Sequence, residues 1–323
     1  MVWYGSSSRP AACSVSEVNR PAIVRADGQS PGWRSRHIQL DRYFVQATVL
    51  PALLVMVCVF GLPLTFSLYL SFTGWAPDQA LFTGRFVGLA NYQDLLTDPA
   101  FTGALGKTFG YTAAAVAAQM GLGLAIALLL NVDLPGMRFF RTALIVPMMI
   151  TPIVGALCWK LLLDSSHGVF NLWIGQQIVW LGRSDTALAA IWVVAVWQST
   201  TYVTLILLAG LRSLPSEPFE AAMIDGASRR QAFWHVTLPL LRPYLLVAML
   251  LRTIFEFRAF DNIYAMTGGG PANATMVLSM YTYLMSFVQF DFSLGAAASW
   301  LMLLMAMLMC LFFIAVIRRR EAL

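Results

Sequence analysis

Six apolar runs dominate this chain, at about 43–72, 107–130, 140–163, 187–211, 244–265 and 292–317. Several of them approach or exceed the roughly 20 residues that carry an α-helix across a bilayer. Hydrophobic residues make up 59% of the sequence and charged ones 11%, against roughly half and a quarter in soluble domains. The expectation is an all-α, polytopic membrane protein with six transmembrane helices, not a soluble domain around a large core. Pro51, Pro63, Pro147 and Pro152 fall inside these runs. A membrane helix tolerates them because neighbouring helices can satisfy the carbonyls they free.

Charge then orients the spans. Residues 1–42 are rich in Ser, Pro, Gly and Arg and have no apolar h-region, so they read as a disordered cytosolic tail and not as a signal peptide. With that tail inside, fifteen Lys/Arg fall in cytosolic segments: six in the tail, two at 138–141, four at 212–242 and three at the C-terminus. The outer side holds Arg85, Lys107 and Arg183, with Lys160 near the outer end of the third span. By the positive-inside rule both termini are cytosolic. The net charge of +5 is therefore a topological signal and no indication of nucleic acid. Residues 43–323 form one transmembrane domain. A surface helix is expected through Asn91–Leu96, and the loop 164–186 carries the turn residues Asp164, Ser165, Ser166 and Gly168 around an amphipathic middle. Cys58, Cys158 and Cys310 lie in spans and Cys13 in the tail, which is no disulfide framework.

Between the fourth and fifth runs lies a polar, structured loop, 216–243. Ser216 can cap a helix whose first turn takes Glu217 and Pro218. Gly226 stops that helix, since it accepts left-handed geometry without a Cβ penalty. Ser228 and Gln231 form an S-x-x-Q capping box for a second short helix, which Pro239 and Pro243 are expected to end. Phe219, Ala222 and Met223 share one face, and Phe233, Trp234 and Val236 add apolar surface. Such a loop either lies on lipid or docks a partner.

The run Glu220-Ala221-Ala222-Met223-Ile224-Asp225-Gly226-Ala227, continuing to Leu238-Pro239, closely resembles the EAA motif of the membrane subunits of bacterial ABC importers. The resemblance implies a coupling role for Glu220, Ala221, Ala222, Asp225, Gly226 and Ala227, through two short helices that dock into a cleft of an ATP-hydrolysing subunit. It places the chain in the bacterial inner (cytoplasmic) membrane as a multi-pass protein.

The fifth run contains Arg252, Glu256, Arg258 and Asp261, and ionisable residues within a membrane are functional candidates by default. Arg252 and Glu256 are four apart and share a helix face; Arg258 and Asp261 are three apart on another. Counting from Tyr244 at about 1.5 Å per residue, Arg252 and Glu256 sit roughly 12 and 18 Å into the span, near its midplane. A carboxylate accepts several hydroxyl bonds, a guanidinium donates a planar fork, and Phe255 can stack on a sugar face. The alternative is a structural salt bridge between helices. In the fourth run Gln198, Ser199 and Tyr202 face one side, suited either to cargo or to joining helices.

Phe260-Asp261-Asn262-Ile263-Tyr264, followed by Thr267 and Gly268-Gly269-Gly270-Pro271, resembles a run found in carbohydrate importers of the maltose and trehalose type. That resemblance, covering about 43–323, implies sugar contacts at Gln198, Ser199, Tyr202, Arg252, Phe255, Glu256 and Ala259. Glu256 and Ala259 differ here, since that permease has amides at both positions. The partners implied are a second permease subunit, a dimeric ATPase subunit that binds ATP and Mg, an extracytoplasmic sugar-binding protein and the lipid membrane, with no cofactor on this chain. The alternative function is a secondary transporter of a small polar solute, although such folds usually show internal repeats. No catalytic constellation supports an enzyme. Gly106-Lys107-Thr108 imitates the end of a P-loop, but Phe101 stands where that motif needs glycine. The Asn273-Ala274-Thr275 sequon carries no information outside a eukaryotic secretory pathway. No His/Cys or Asp/Glu cluster has metal-ligand spacing, and His37, His167 and His235 are scattered.

Overall fold

The computed structural model describes residues 47–80, 82–132 and 136–321; the tail read for residues 1–42 lies outside them. The chain is helical apart from one short antiparallel pairing of Thr73–Gly74 (β1) with Arg85–Phe86 (β2). The helices are α1 (Ala47–Ser71), α2 (Ala90–Thr97), α3 (Pro99–Leu130), α4 (Met137–Met149), α5 (Pro152–Leu162) and α6 (Val169–Ile174). They continue as α7 (Ala187–Ser213), α8 (Glu217–Ile224), α9 (Arg229–Phe257), α10 (Asp261–Met266), α11 (Leu278–Val288) and α12 (Phe292–Glu321). Five helices, α1, α3, α7, α9 and α12, are long and apolar enough to cross a membrane, and α4 with α5 makes a sixth crossing if the bent pair counts as one.

The third predicted span is broken, and its prolines explain the break. Pro147 ends α4 two residues later. Thr151 precedes Pro152 and is held extended at φ −61°, ψ 142°, as the residue before proline must be. The two halves meet at 97°. The pair still runs from one end of the bundle to the other. Arg141 donates to the Leu130 carbonyl at the foot of α3 (2.8 Å), and Lys160 donates to the Ala265 carbonyl beyond the head of α9 (3.1 Å).

Further bonds collect one set of span ends. Asn91 donates to the Ser71 and Thr73 carbonyls, Trp75 N–H to Ser293 Oγ, and the Tyr281 hydroxyl to Asp98 (2.7 Å). Asp98 meanwhile caps α3 by accepting from Ala100 N–H, with Pro99 in the first turn. Burial, and then the Asp98 carboxylate, push the Tyr281 phenol well above its ordinary range. At the other end Ser213 Oγ and the Tyr244 hydroxyl share a bond of 2.6 Å. The surface helix expected near Asn91 is present as α2, whereas α6 and α11 were not foreseen as helices.

The fifth span also departs from expectation. Pro239 and Pro243 do not separate a short helix from it; α9 runs unbroken from Arg229 to Phe257. A π-helical turn at Phe233–Thr237 leads into Pro239 in the first turn of the following α segment, where its missing N–H costs least. Pro243 lies inside the helix, as membrane helices allow. The helix ends at Phe257, earlier than 265, with Arg258 as its C-cap. Arg258 and Asp261 therefore do not share a helical face.

Helix α7 is the best buried of the spans and joins two apolar clusters. Ile191 and Val194 pack with Phe101, Phe257, Ile263 and Met280; Val203 and Leu207 pack with Val116, Leu241 and Ala248. By contrast α1 exposes most of its apolar side chains, and α12 exposes one stripe, Leu303, Leu304, Met307, Leu308, Leu311 and Phe312, as lipid-facing helices do. Close approach of α3 to α7 depends on Gly123, where a Cβ would lie 2.6 Å from Val203 Cγ1 and 2.8 Å from its Cβ. Gly121, on the same helix, has nothing within 4 Å of such a Cβ. Gly123→Ala is expected to destabilise the protein by about 1–3 kcal/mol through overpacking. Gly121→Ala, a gain in helix propensity, should leave or raise the melting temperature in detergent. Equal melting of the two variants would contradict the close α3–α7 contact.

Candidate functional site

Where α9 ends and α10 begins, a cavity of about 420 Å³ opens beside α3, α5 and α7. Such a size is ordinary for a small-molecule pocket. Its lining includes Gln198, Ser199, Arg252, Phe255, Glu256 and Ala259, six of the seven residues expected to meet cargo. Tyr202 is the exception. Its ring lies 6.0 Å from the Arg252 guanidinium carbon, which sits 5.8 Å from the Phe255 ring, so Tyr202 supports the arginine instead of facing the cavity.

The polar centre is a buried network. Arg252 and Glu256 form an ion pair through Nη2 and Oε1, as their i, i+4 spacing foretold. Gln119 of α3 clasps both: its Oε1 accepts from Arg252 Nε (2.9 Å), and its Nε2 donates to Glu256 Oε1 (2.8 Å). All three side chains are buried. A charged pair out of water persists only when its remaining donors and acceptors are also met, and Gln119 meets one on each partner. Gln119 was absent from the sequence reading, although a lone amide in the apolar run 107–130 is itself a signal of function or helix joining.

Two further lining residues were missed. Buried polar atoms normally have partners, yet Tyr111 Oη and Asn262 Oδ1 have none among the described residues. The Tyr111 hydroxyl stands beside the Glu256 carboxylate but outside hydrogen-bond geometry. The lining thus offers unspent donors and acceptors, an aromatic face at Phe255, and both signs of charge, with Arg258 and Asp261 at the rim. Gln198 has a structural duty as well. Its Nε2 donates to Ile150 O at the α4–α5 break (3.0 Å), while Thr201 Oγ1 donates to Leu144 O (2.7 Å). The Gln198 bond satisfies a carbonyl left free where the helix fails, and the Thr201 bond ties α7 to α4. Among the described residues no group of three or more His, Cys, Asp or Glu could hold a metal ion.

The loop between α7 and α9 is the second candidate. Glu217 and Glu220 occupy the first turn of α8, where the helix dipole favours acids. Ser216 stands at the N-cap, but it is already helical and its side chain makes no capping bond, contrary to the sequence reading. Asp225 is the C-cap, and Gly226 has φ +76°. Ala227 N–H donates to Ala222 O (2.9 Å) and Gly226 N–H to Met223 O (3.1 Å), the paired bonds of a Schellman ending. The Ser228–Gln231 capping box is present. Glu220, Ala221, Asp225 and Gly226 are exposed, with Ala222 and Ala227 half-buried. The apolar face is displaced from expectation: Phe219 and Ala222 are half-buried, while Met223, Ile224 and Trp234 are 68%, 87% and 55% exposed.

Residues 119–321 match the family described as binding-protein-dependent transport system inner membrane component. The chain is similar to a probable ABC transporter permease protein of Sinorhizobium fredii, 41% identical over 78% of this chain and 82% of that one. It is similar to the trehalose/maltose transport system permease protein MalF of Thermococcus litoralis, 36% identical over 84% and 93%. Among solved structures it resembles a bacterial alginate ABC transporter in complex with an alginate pentasaccharide-bound periplasmic protein. There the TM-score is 0.76 at 20% identity, covering 88% of this chain and 96% of that one, a likeness of fold.

Gln119→Leu keeps the volume but leaves Arg252 Nε and Glu256 each one bond short. Each lost bond to a charged group is worth about 1.5–3 kcal/mol. The variant should therefore melt well below wild type in detergent, and Gln119→Glu, which keeps an acceptor for Arg252 only, should fall between them. An unchanged melting temperature for Gln119→Leu would contradict the clasp.

Proposed function

The chain belongs to the family of inner membrane components of binding-protein-dependent transport systems, and from that premise we propose that it is a permease subunit of an ATP-driven sugar importer. The observation that carries the sugar reading is the cavity, where a buried Gln119–Arg252–Glu256 network lies beside the unpartnered polar atoms of Tyr111 and Asn262 and the Phe255 ring. Hydroxyls can both donate and accept in such a lining, and a ring face can stack on an aromatic side chain. Relatives named for trehalose, maltose and multiple sugars support the same class of cargo.

On this reading Gln198, Ser199, Arg252, Phe255, Glu256 and Ala259 line half of the translocation path, with Tyr202 behind Arg252. A second permease subunit supplies the other half, and an extracytoplasmic binding protein delivers the sugar. ATP and Mg2+ bind a separate dimeric ATPase, so this chain is not itself an enzyme. The membrane is the bacterial inner membrane, with both termini and the 216–243 loop cytosolic. Arg141, Arg212, Arg229, Arg230 and Arg242 gather at that end of the spans, in keeping with the positive-inside rule.

Glu220, Ala221, Ala222, Asp225, Gly226 and Ala227 then form the dock for the ATPase, with Met223, Ile224 and Trp234 as its exposed apolar contacts. A fixed turn between two helices transmits force as a rigid body, and alternating access follows from such motion. Inside the path Arg252 and Glu256 neutralise each other until cargo hydroxyls compete for their remaining donor and acceptor positions.

Reconstituting the complex with its ATPase and binding protein tests the proposal, with uptake, ATP hydrolysis and melting temperature measured together. Glu256→Gln should reduce sugar uptake at least tenfold, since a charge-assisted bond is worth about 1.5–3 kcal/mol. It also strands Arg252 and should lower stability by about 3–5 kcal/mol. Adding Arg252→Gln should restore the melting temperature but not uptake. Recovery of uptake in the double variant would show that the pair is structural only.

Gly226→Pro probes the other end, because proline cannot adopt the positive φ of that turn. The complex should still insert, while stimulated ATP hydrolysis and uptake fall together. Unimpaired coupling would remove the loop from the docking role.

A further inference from the structure

A second cavity, of about 350 Å³, opens between α5, α6 and α7 and shares no lining residue with the Arg252–Glu256 cavity. Trp159, Leu163, Phe170, Ile174, Trp180 and Val193 make up most of its wall. The Trp159 and Phe170 rings stack at 5.6 Å with 13° between planes. Helix α6 borders the cavity and gives form to the amphipathic middle of the loop 164–186. Phe170 and Ile174, one turn apart, line it, while Leu172 and Trp173 turn outward, 72% and 87% exposed. Asn171 fixes the helix by donating to Ile178 O (2.9 Å) and accepting from Trp180 Nε1 (2.8 Å).

We propose that this cavity holds an acyl chain of a zwitterionic phospholipid, with the headgroup on Arg183 and Asp185. The inner wall offers an apolar surface, because Trp180 Nε1 is spent on Asn171 and Thr186 Oγ1 donates to Trp180 O (2.7 Å). A sugar there would leave hydroxyls unpaired; a methylene chain loses nothing. The cavity also has a chain's direction. From Thr186, the N-cap of α7, to Val193 is roughly 10 Å along the helix axis, from the membrane interface into hydrocarbon. Ile174 and Val193 are 49% and 46% exposed, so the cavity is open to lipid along its length. The outward Leu172 and Trp173 suit the interface itself, where tryptophan is enriched.

Charge selects the headgroup. Arg183 Nε and Nη2 donate to the two oxygens of Asp185 (3.0 and 2.7 Å), and both side chains are more than half exposed. Asp185 itself lines the cavity. The guanidinium keeps further N–H groups and each carboxylate oxygen a further lone pair. A phosphate can therefore take the first and an ammonium the second. A headgroup with a phosphate and no ammonium leaves the Asp185 charge unanswered. Seated this way, the lipid completes the packing of α5 against α7, in the C-terminal half of the broken span.

The test uses the full complex purified in detergent. Its probe is phosphatidylethanolamine with a photoactivatable diazirine in one acyl chain, and adducts are mapped by peptide mass spectrometry. Adducts should concentrate within residues 159–193 of this chain. Unlabelled phosphatidylethanolamine should compete about threefold better than phosphatidylglycerol of the same chains, as one exposed charge contact predicts. Asp185→Asn, at the surface, should keep the adducts and abolish that preference. Ala189→Trp, which fills the cavity from an exposed position on its wall, should cut adducts there at least tenfold and leave those on α12 unchanged. Adducts spread evenly over α1, α12 and this segment, or undiminished in Ala189→Trp, overturn the site. Equal competition by the two lipids in wild type, or a preference that survives Asp185→Asn, overturns the assigned headgroup and with it the proposal. A segment free of adducts in the assembled complex overturns it in favour of a protein partner on that wall. If Ala189→Trp does not assemble, the Asp185→Asn competition decides alone. None of these readouts involves cargo, so the sugar reading is tested separately.

Discussion

In hydrocarbon no solvent pairs a backbone carbonyl, so any break in a membrane helix has to be answered by another part of the protein. The α4–α5 break sets this condition for the whole bundle. The carbonyl of Ile150, at the break itself, is taken by Gln198 of α7, and Thr201 of α7 adds a bond to Leu144 O within α4. That requirement places α7 against both halves of the broken span and holds it at the centre of both apolar clusters. Gly123 then lets α3 approach α7 closely enough to bring Gln119 beside α9. The polar residues of α7 therefore repair a helix and edge a cavity at the same time.

The charge network follows the same logic at higher stakes. An arginine and a glutamate one turn apart on α9 reduce each other's cost in a low-dielectric setting, but neither is satisfied by the other alone. Gln119 reaches from a different helix to contribute one acceptor and one donor. Two spans are thus joined at a buried polar point, and the cavity opens from it. On the sugar reading, a cargo that bonds to this network competes with interactions that also hold the bundle together.

The 216–243 loop obeys more local rules. Gly226 permits a Schellman ending, Ser228 and Gln231 cap each other's backbone, and acids sit at the positive end of α8. Each device lies within a few residues of the group it satisfies. The loop consequently holds its shape without burial, and it can leave Met223, Ile224 and Trp234 exposed.

This locality separates what was legible in the residues from what was not. Apolar runs announced the spans, the Arg252–Glu256 spacing announced an ion pair, and the glycine turn and capping box were readable because each depends on short-range periodicity or backbone chemistry. Pro147 and Pro152 were visible, yet not the 97° bend between their helices, because the direction of a break depends on which distant side chains accept its carbonyls. Pro239 looked like a terminator, but α9 stays continuous through a π-helical turn before it. Gln119 and Tyr111 carried no local pattern beyond a polar group in an apolar run, and Arg252 and Glu256, which Gln119 joins, lie more than a hundred residues away from it. The sequence by itself determined the apolar spans, their likeness to a transport family, and the glycine turn and capping box of the exposed loop. Only the tertiary structure decided which polar side chains meet across helices and where two cavities open, because those contacts arise from spans brought together by close packing and not from neighbours along the chain.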